Sequence, residues 1–176
     1  MATTFTLISA VTVGAGGAAS IDFTSIPSTY TDLVLKISGR VAGTGSGTQL
    51  RVRFNGSATG YADRNVEGTG AATGSVNRTG STYTYVTSLI QAGGGNPSPN
   101  TWSSIDMYVP NYAGAANKSM SFDSVTEISA STTAYADLTS GLWSNTSAIT
   151  SINLTSQDGS NFVQYSTATL YGVKNA

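Results

Sequence analysis

The sequence predicts an all-β protein: a single antiparallel β-sandwich over residues 1–176, jelly-roll-like, with about 8–10 strands and almost no helix. Three observations carry this. Apolar residues recur at every second position along most of the chain, the period of a strand with one buried face. Turn-forming clusters (AGTGSG, GTGAATG, AGGGNPSPN, PNYAGAAN, SQDGSN) separate these stretches, at roughly the 8–12-residue spacing of sandwiches and barrels. No amphipathic pattern longer than two helical turns occurs. A chain of 176 residues suits one domain with a full core.

Taken in order, Phe5, Leu7, Val11 and Val13 keep two-residue spacing with Ser9 between them. Residues 1–17 therefore read as a first strand. It either pairs within its own domain or reaches to a neighbour as an arm hinged at Gly14, Gly16 and Gly17. The first positive charge is Lys36, so the apolar start lacks the basic region of a signal peptide. Ile21 and Phe23 follow, then Leu33, Leu35 and Ile37, then Leu50, Val52 and Phe54 alternating with Arg51 and Arg53. Tyr83 and Tyr85 alternate with Thr84, Val86 and Ser88. Ile105, Met107 and Val109 alternate with Asp106 and Tyr108. Met120 and Phe122 keep register up to a bulge expected before Val125. A short strand from Leu138 to Trp143, one carrying Ile152 and Leu154, and one carrying Ala168 and Leu170 close the chain. YADRNVEG and AGAANKS each read as one helical turn. The expected inward residues are Phe23, Leu33, Leu35, Ile37, Leu50, Val52, Phe54, Met107, Val109, Phe122, Ile152, Leu154 and Leu170.

Composition narrows function. There is no Cys and no His, which removes disulfides, thiolate chemistry and the commonest general base and metal ligand. Only 10% of residues are charged and the net charge is −1, so no basic tract points to nucleic acid. No apolar run reaches the roughly 18 residues of a spanning helix, so no membrane partner is expected. Hydroxyls stand in for charge: Ser and Thr make about 50 of the residues.

Each motif has a chemical and a plain reading. Gly14, Gly16 and Ala19 spell G-x-G-x-x-A after a strand, but a dinucleotide site needs a helix opening there and a strand follows instead. Asp63, Asn65, Glu67 and Gly68 match the first positions of a calcium loop, yet Gly74 stands where the bidentate glutamate belongs; the plain reading pairs Asp63 or Glu67 with Arg64. Asp106 and Asp123, on neighbouring strands, are the first carboxylate pair to test for glycoside chemistry. A Ser–Lys dyad would have to use Lys36, Lys118 or Lys174, and no S-x-x-K occurs. No catalytic residue, cofactor or metal is therefore assigned, and a non-enzymatic role is expected. Arg51 and Arg53 share one strand face, with Lys36 a candidate for the same side. They read either as a basic patch for an acidic partner protein or as a solvated face that discourages edge pairing. The N-x-[ST] tripeptides at Asn55, Asn77, Asn117, Asn145 and Asn153 are close to what chance supplies. Nine tyrosines suit a sugar platform or a subunit interface.

Two segments, IDFTSIPSTYTDLVLKISGR from Ile21 to Arg40 and NFVQYSTATLYGVKNA from Asn161 to Ala176, resemble small structural proteins of tailed bacteriophages, both capsid decoration (cement) proteins and short tail-appendage proteins. The matching residues look like fold determinants: Pro27 at a turn, and Leu170, Tyr171 and Gly172 in a closing strand. The resemblance implies a virion structural protein. Its first form is a decoration protein on the capsid surface, assembled in the host cytoplasm. It would bind the phage major capsid protein, as a homo-oligomer, most simply a homotrimer. The alternative is a tail fibre, spike or other host-recognition module that binds surface glycans.

Overall fold

The structure, a computed structural model, describes residues 4–43, 45, 47–82, 84–91, 101–126 and 134–174. The expected turn at 92–100 and the side chains of Tyr83 and Tyr85 lie outside the described residues. Twelve strands are present among the described residues and no helix: β1 (Phe5–Thr12), β2 (Ser20–Phe23), β3 (Asp32–Val41), β4 (Gly47–Phe54), β5 (Tyr61–Gly68), β6 (Thr73–Ser81), β7 (Thr84–Gln91), β8 (Ser103–Val109), β9 (Lys118–Thr126), β10 (Tyr135–Trp143), β11 (Ile152–Ser156) and β12 (Thr167–Val173).

The pairing makes two antiparallel sheets. The small one runs β2-β11-β4-β7. The large one runs β1-β12-β3-β8-β9-β10-β5-β6. Eight of the strands pair from the outside in, β1 with β12, β2 with β11, β3 with β8 and β4 with β7. This is a hairpin ribbon wrapped into two four-stranded layers, β1-β12-β3-β8 over β2-β11-β4-β7, which is the jelly roll. The remaining four strands, β9, β10, β5 and β6, widen one layer only. At Arg40 and Val41, β3 also meets β7 in parallel and joins the two layers.

The core lies between the sheets. Every inward residue expected from alternation is buried, from Phe23 through Leu170. At one end Phe54, Tyr61 and Trp143 pack together, with Trp143 5.7 Å from Phe54 and 6.2 Å from Tyr61 between ring centroids. Phe54 N donates to the Tyr61 hydroxyl at 2.8 Å. Burial raises the Tyr61 pKa, offset in part by that backbone contact and by the Arg53 charge.

Three expectations are corrected. The described residues form twelve strands because YADRNVEG is strand β5, not a helical turn, and Thr73–Ser81 pairs with it as β6. Tyr61, Asp63 and Asn65 of β5 face inward while Arg64 and Val66 face out. The period is two, but apolar and polar residues occupy both phases, so hydrophobicity hides it. AGAANKS is turn and bend leading into β9. The bulge before Val125 is absent: β9 keeps unbroken alternation, and Val125 points to solvent at 49% exposure. The first strand pairs with β12 of its own sheet, from Phe5↔Val173 to Thr12↔Thr167. The glycines after it form a turn in which Gly17 N donates to Gly14 O at 3.0 Å. No helix opens there, so the dinucleotide reading fails.

Candidate functional site

Of the molecule's faces, the outer face of the large sheet combines broad area with exposed apolar side chains. Register places its residues in rows. One row crosses all eight strands as Leu7, Tyr171, Val34, Tyr108, Ser121, Ser140, Arg64 and Asn77. The next row carries Lys36, Asp106, Asp123, Leu138 and Val66 on adjacent strands. Leu138 is 63% and Val66 61% exposed, and Leu7, Phe5 and Tyr108 are also exposed. Phe5 meets Tyr171 edge-on at 6.4 Å. One apolar group therefore sits on β1, β12, β3 and β8, a second on β9, β10 and β5, and a charged stripe runs between them.

Tyr108 anchors this face. Its hydroxyl donates to Asp32 Oδ2 at 2.8 Å, while Asn111 N donates to Asp32 Oδ1 at 2.9 Å. The hydrogen bond to Asp32, then burial, then the Asp32 charge raise the Tyr108 pKa. Sequence pattern marked neither this anchor nor the outward Val66, Val125 and Leu138. A reading of β5 as a strand would have put Val66 on the face opposite Tyr61, Asp63 and Asn65, without saying which face is buried.

Asp106 and Asp123 stand directly opposite each other on β8 and β9. Asp106 Oδ2 accepts from Lys36 Nζ at 2.6 Å, with both side chains about half exposed. Asp106 lines one shallow depression of about 380 Å³ with Lys36, Ser104 and Thr169, and Asp123 lines another of about 470 Å³ with Val66 and Leu138, so the two carboxylates do not converge on one enclosed site of the kind glycoside cleavage uses. Lys36 is thus part of the large sheet's outer face. Arg51 and Arg53 point outward from the small sheet, opposite to Leu50, Val52 and Phe54. The three do not form one basic patch: the alternation placed each correctly on its strand, but the strands belong to different sheets.

On the small sheet, Asp22, Asn153 and Arg53 are aligned across β2, β11 and β4. Asn153 Nδ2 donates to Asp22 Oδ1 at 2.7 Å, and Arg53 Nε donates to Thr82 O at 3.1 Å. They line a shallow cleft of about 340 Å³ with Thr24 and Ser151.

The calcium-loop candidates are redistributed. Asp63 is ion-paired to Arg78 of β6, not to Arg64, whose Nη1 bonds Asn77. Asn65 Nδ2 donates to Asp137 Oδ1 at 3.2 Å and Thr139 Oγ1 at 3.1 Å. Glu67 lies opposite Asp137. An extended strand spreads these residues along one face instead of wrapping them around an ion. Among the described residues no group of three or more Asp or Glu is arranged to hold a metal. Lys118 is buried, and its Nζ donates to the carbonyls of Gly114 and Ala116. Burial lowers its pKa, yet those bonds tie it to the loop before β9 and give it a structural task. In comparisons with known proteins, no family model, no curated protein and no solved structure matches the chain.

Proposed function

We propose that this chain is a non-enzymatic virion structural protein of a bacteriophage: a capsid decoration protein that lays the outer face of its large sheet on the coat-protein shell and stabilises it. The observation that carries this reading is the set of exposed apolar side chains, Leu7 and Tyr108 in one row and Leu138 and Val66 in the next, spread across a face that no other strand covers among the described residues. Eight strands at about 4.8 Å and some seven residues at about 3.3 Å give a face of about 900 Å². That is close to one partner's share of a standard protein–protein interface, about 800 Å², which favours a broad protein surface as the occupant. The flanking Lys36, Arg64, Asp106 and Asp123 carry both signs and would set register on a polar shell. Repetition over a symmetric particle, with the chain as a homotrimer, turns modest contacts into avidity. The partner is the major capsid protein, and the place is the capsid surface, reached during assembly in the host cytoplasm.

Co-sedimentation with shells that lack the protein tests this. Binding is expected for the unaltered chain and a loss of at least about tenfold for Val66→Asp/Leu138→Asp, with an unchanged circular dichroism spectrum. A second reading, recognition of host surface glycans, is favoured by the Asp22, Asn153 and Arg53 ladder, whose groups suit sugar hydroxyls. Binding to host glycans that Asn153→Ala abolishes, with no binding to shells, would replace decoration by host recognition.

A further inference from the structure

The turn that leaves β4 is built on Asn55 and Gly56. Both have positive φ, 52° and 65°, and Ser57 N donates to Phe54 O at 2.9 Å. This is a type I′ turn, the geometry that Asn-Gly favours. The same dipeptide is prone to spontaneous cyclisation, because glycine leaves the attacking backbone nitrogen unshielded. Here a Cβ on Gly56 would meet nothing within 4 Å, and Asn55 is exposed to water.

The Asn55 side chain, however, is held at both ends by the segment before β11. Its Nδ2 donates to Ala148 O at 2.8 Å. Its Oδ1 accepts from Thr150 N at 2.8 Å, Ser151 N at 3.1 Å and Thr150 Oγ1 at 3.2 Å. Asn55 N also donates to Ser151 O at 3.1 Å. Cyclisation requires Cγ to swing onto the Gly56 nitrogen, which breaks these side-chain bonds.

We propose that Asn55–Gly56 is a self-modification site latched by residues 148–151, so that deamidation there occurs only when the β4–β5 turn detaches from that segment. The Gly56 nitrogen bonds to Asn55 Cγ, and its proton leaves with the carboxamide nitrogen as ammonia. One water then opens the succinimide at either carbonyl, giving aspartate or isoaspartate with no change of oxidation state. The product cannot refit the latch. An aspartate carboxylate has no donor for Ala148 O and would face that carbonyl with like charge, and isoaspartate adds a backbone carbon to a tight turn. Each opening that reacts is therefore recorded irreversibly as a loosened turn.

The test follows the one-dalton mass gain and the isoaspartate content at residue 55, by peptide mass spectrometry, in intact protein held at mildly alkaline pH. The native chain is expected to react at least about tenfold more slowly than the same chain in urea. Thr150→Ala removes one latch bond and should raise the native rate about two- to tenfold, leaving the urea rate unchanged. Equal native and urea rates, or a native rate that Thr150→Ala does not change, would overturn the proposal. If Thr150→Ala does not fold, the comparison on the unaltered chain decides.

Discussion

Gly172, next to the end of β12, has the ring of Tyr30 laid against it. A Cβ at this position would run into Cγ and Cδ2 at the root of that ring, which cannot swing aside as the end of a flexible side chain could. Gly172→Ala should therefore destabilise by overpacking, about 1–3 kcal/mol, and Tyr30→Ala in the same chain should relieve the clash while leaving its own cavity cost. Urea denaturation of the single and double variants measures the coupling. Asp158 gives the molecule a pH dependence. Burial alone would raise its pKa, but hydrogen bonds from Ser156, Ser160 N and Ser160 Oγ outweigh it and hold the pKa below the ordinary carboxylate value. A group depressed in the folded state stabilises above its unfolded pKa, about pH 4 for aspartate, and loses that contribution as pH falls through the folded value. Asp158→Asn should thus show a shallower fall of Tm below about pH 4 than the unaltered chain, measured by thermal melts across that range.

At the scale of elements, jelly-roll strands such as β3 and β4 were legible because they bury their apolar residues in one phase, Leu33, Leu35 and Ile37 or Leu50, Val52 and Phe54. In β1, by contrast, a bulge between Leu7 and Ser9 turns Phe5 and Leu7 outward and Val11 inward, against the single phase expected of it. The four-strand extension was also less legible. Part of its inner face is polar, with Asp63, Asn65, Asp137 and Thr139 buried beside Tyr61, Phe122 and Trp143, and its outer face carries Val66 and Leu138. A polar-in, apolar-out strand defeats a rule that equates hydrophobic with inward, and the candidate binding face is made of these inversions. Charge pairing compensates inside: Asp63 is fully buried against Arg78, whose side chain is 19% exposed. Arg78→Met would leave that carboxylate buried without its cation and should cost about 3 kcal/mol. Asp63→Asn/Arg78→Met should recover most of the loss, because no buried charge then remains. Guanidinium denaturation of the three variants checks the order.

At the scale of the whole molecule, the sheet is closed by the two ends of the described chain, β1 on β12, with β12 lying between β1 and β3. Pairings of such sequence separation carry the largest loop-closure cost, and folds dominated by them refold slowly, in about milliseconds to seconds. The two strands are not equivalent. β12 buries Ala168 and Leu170 with no exposure and hydrogen-bonds on both sides. β1 has one paired edge, and its inward Ile8 and Val11 are only partly buried. Deleting residues 1–12 should therefore leave a folded sandwich of lower stability whose new edge is β12. Truncation before Thr167 should remove a central strand and abolish folding. The shortened chain should also self-associate more than the full one, because β12 would then present an unpaired edge with Thr169 and Tyr171 beside it and no β1 to cover it. Circular dichroism reports whether the β spectrum survives each deletion, and sedimentation reports association. An unfolded product from deleting residues 1–12 would mean that β1 is part of the minimal fold, and an arm that exchanges between copies would then need the whole sandwich to open before it could swap.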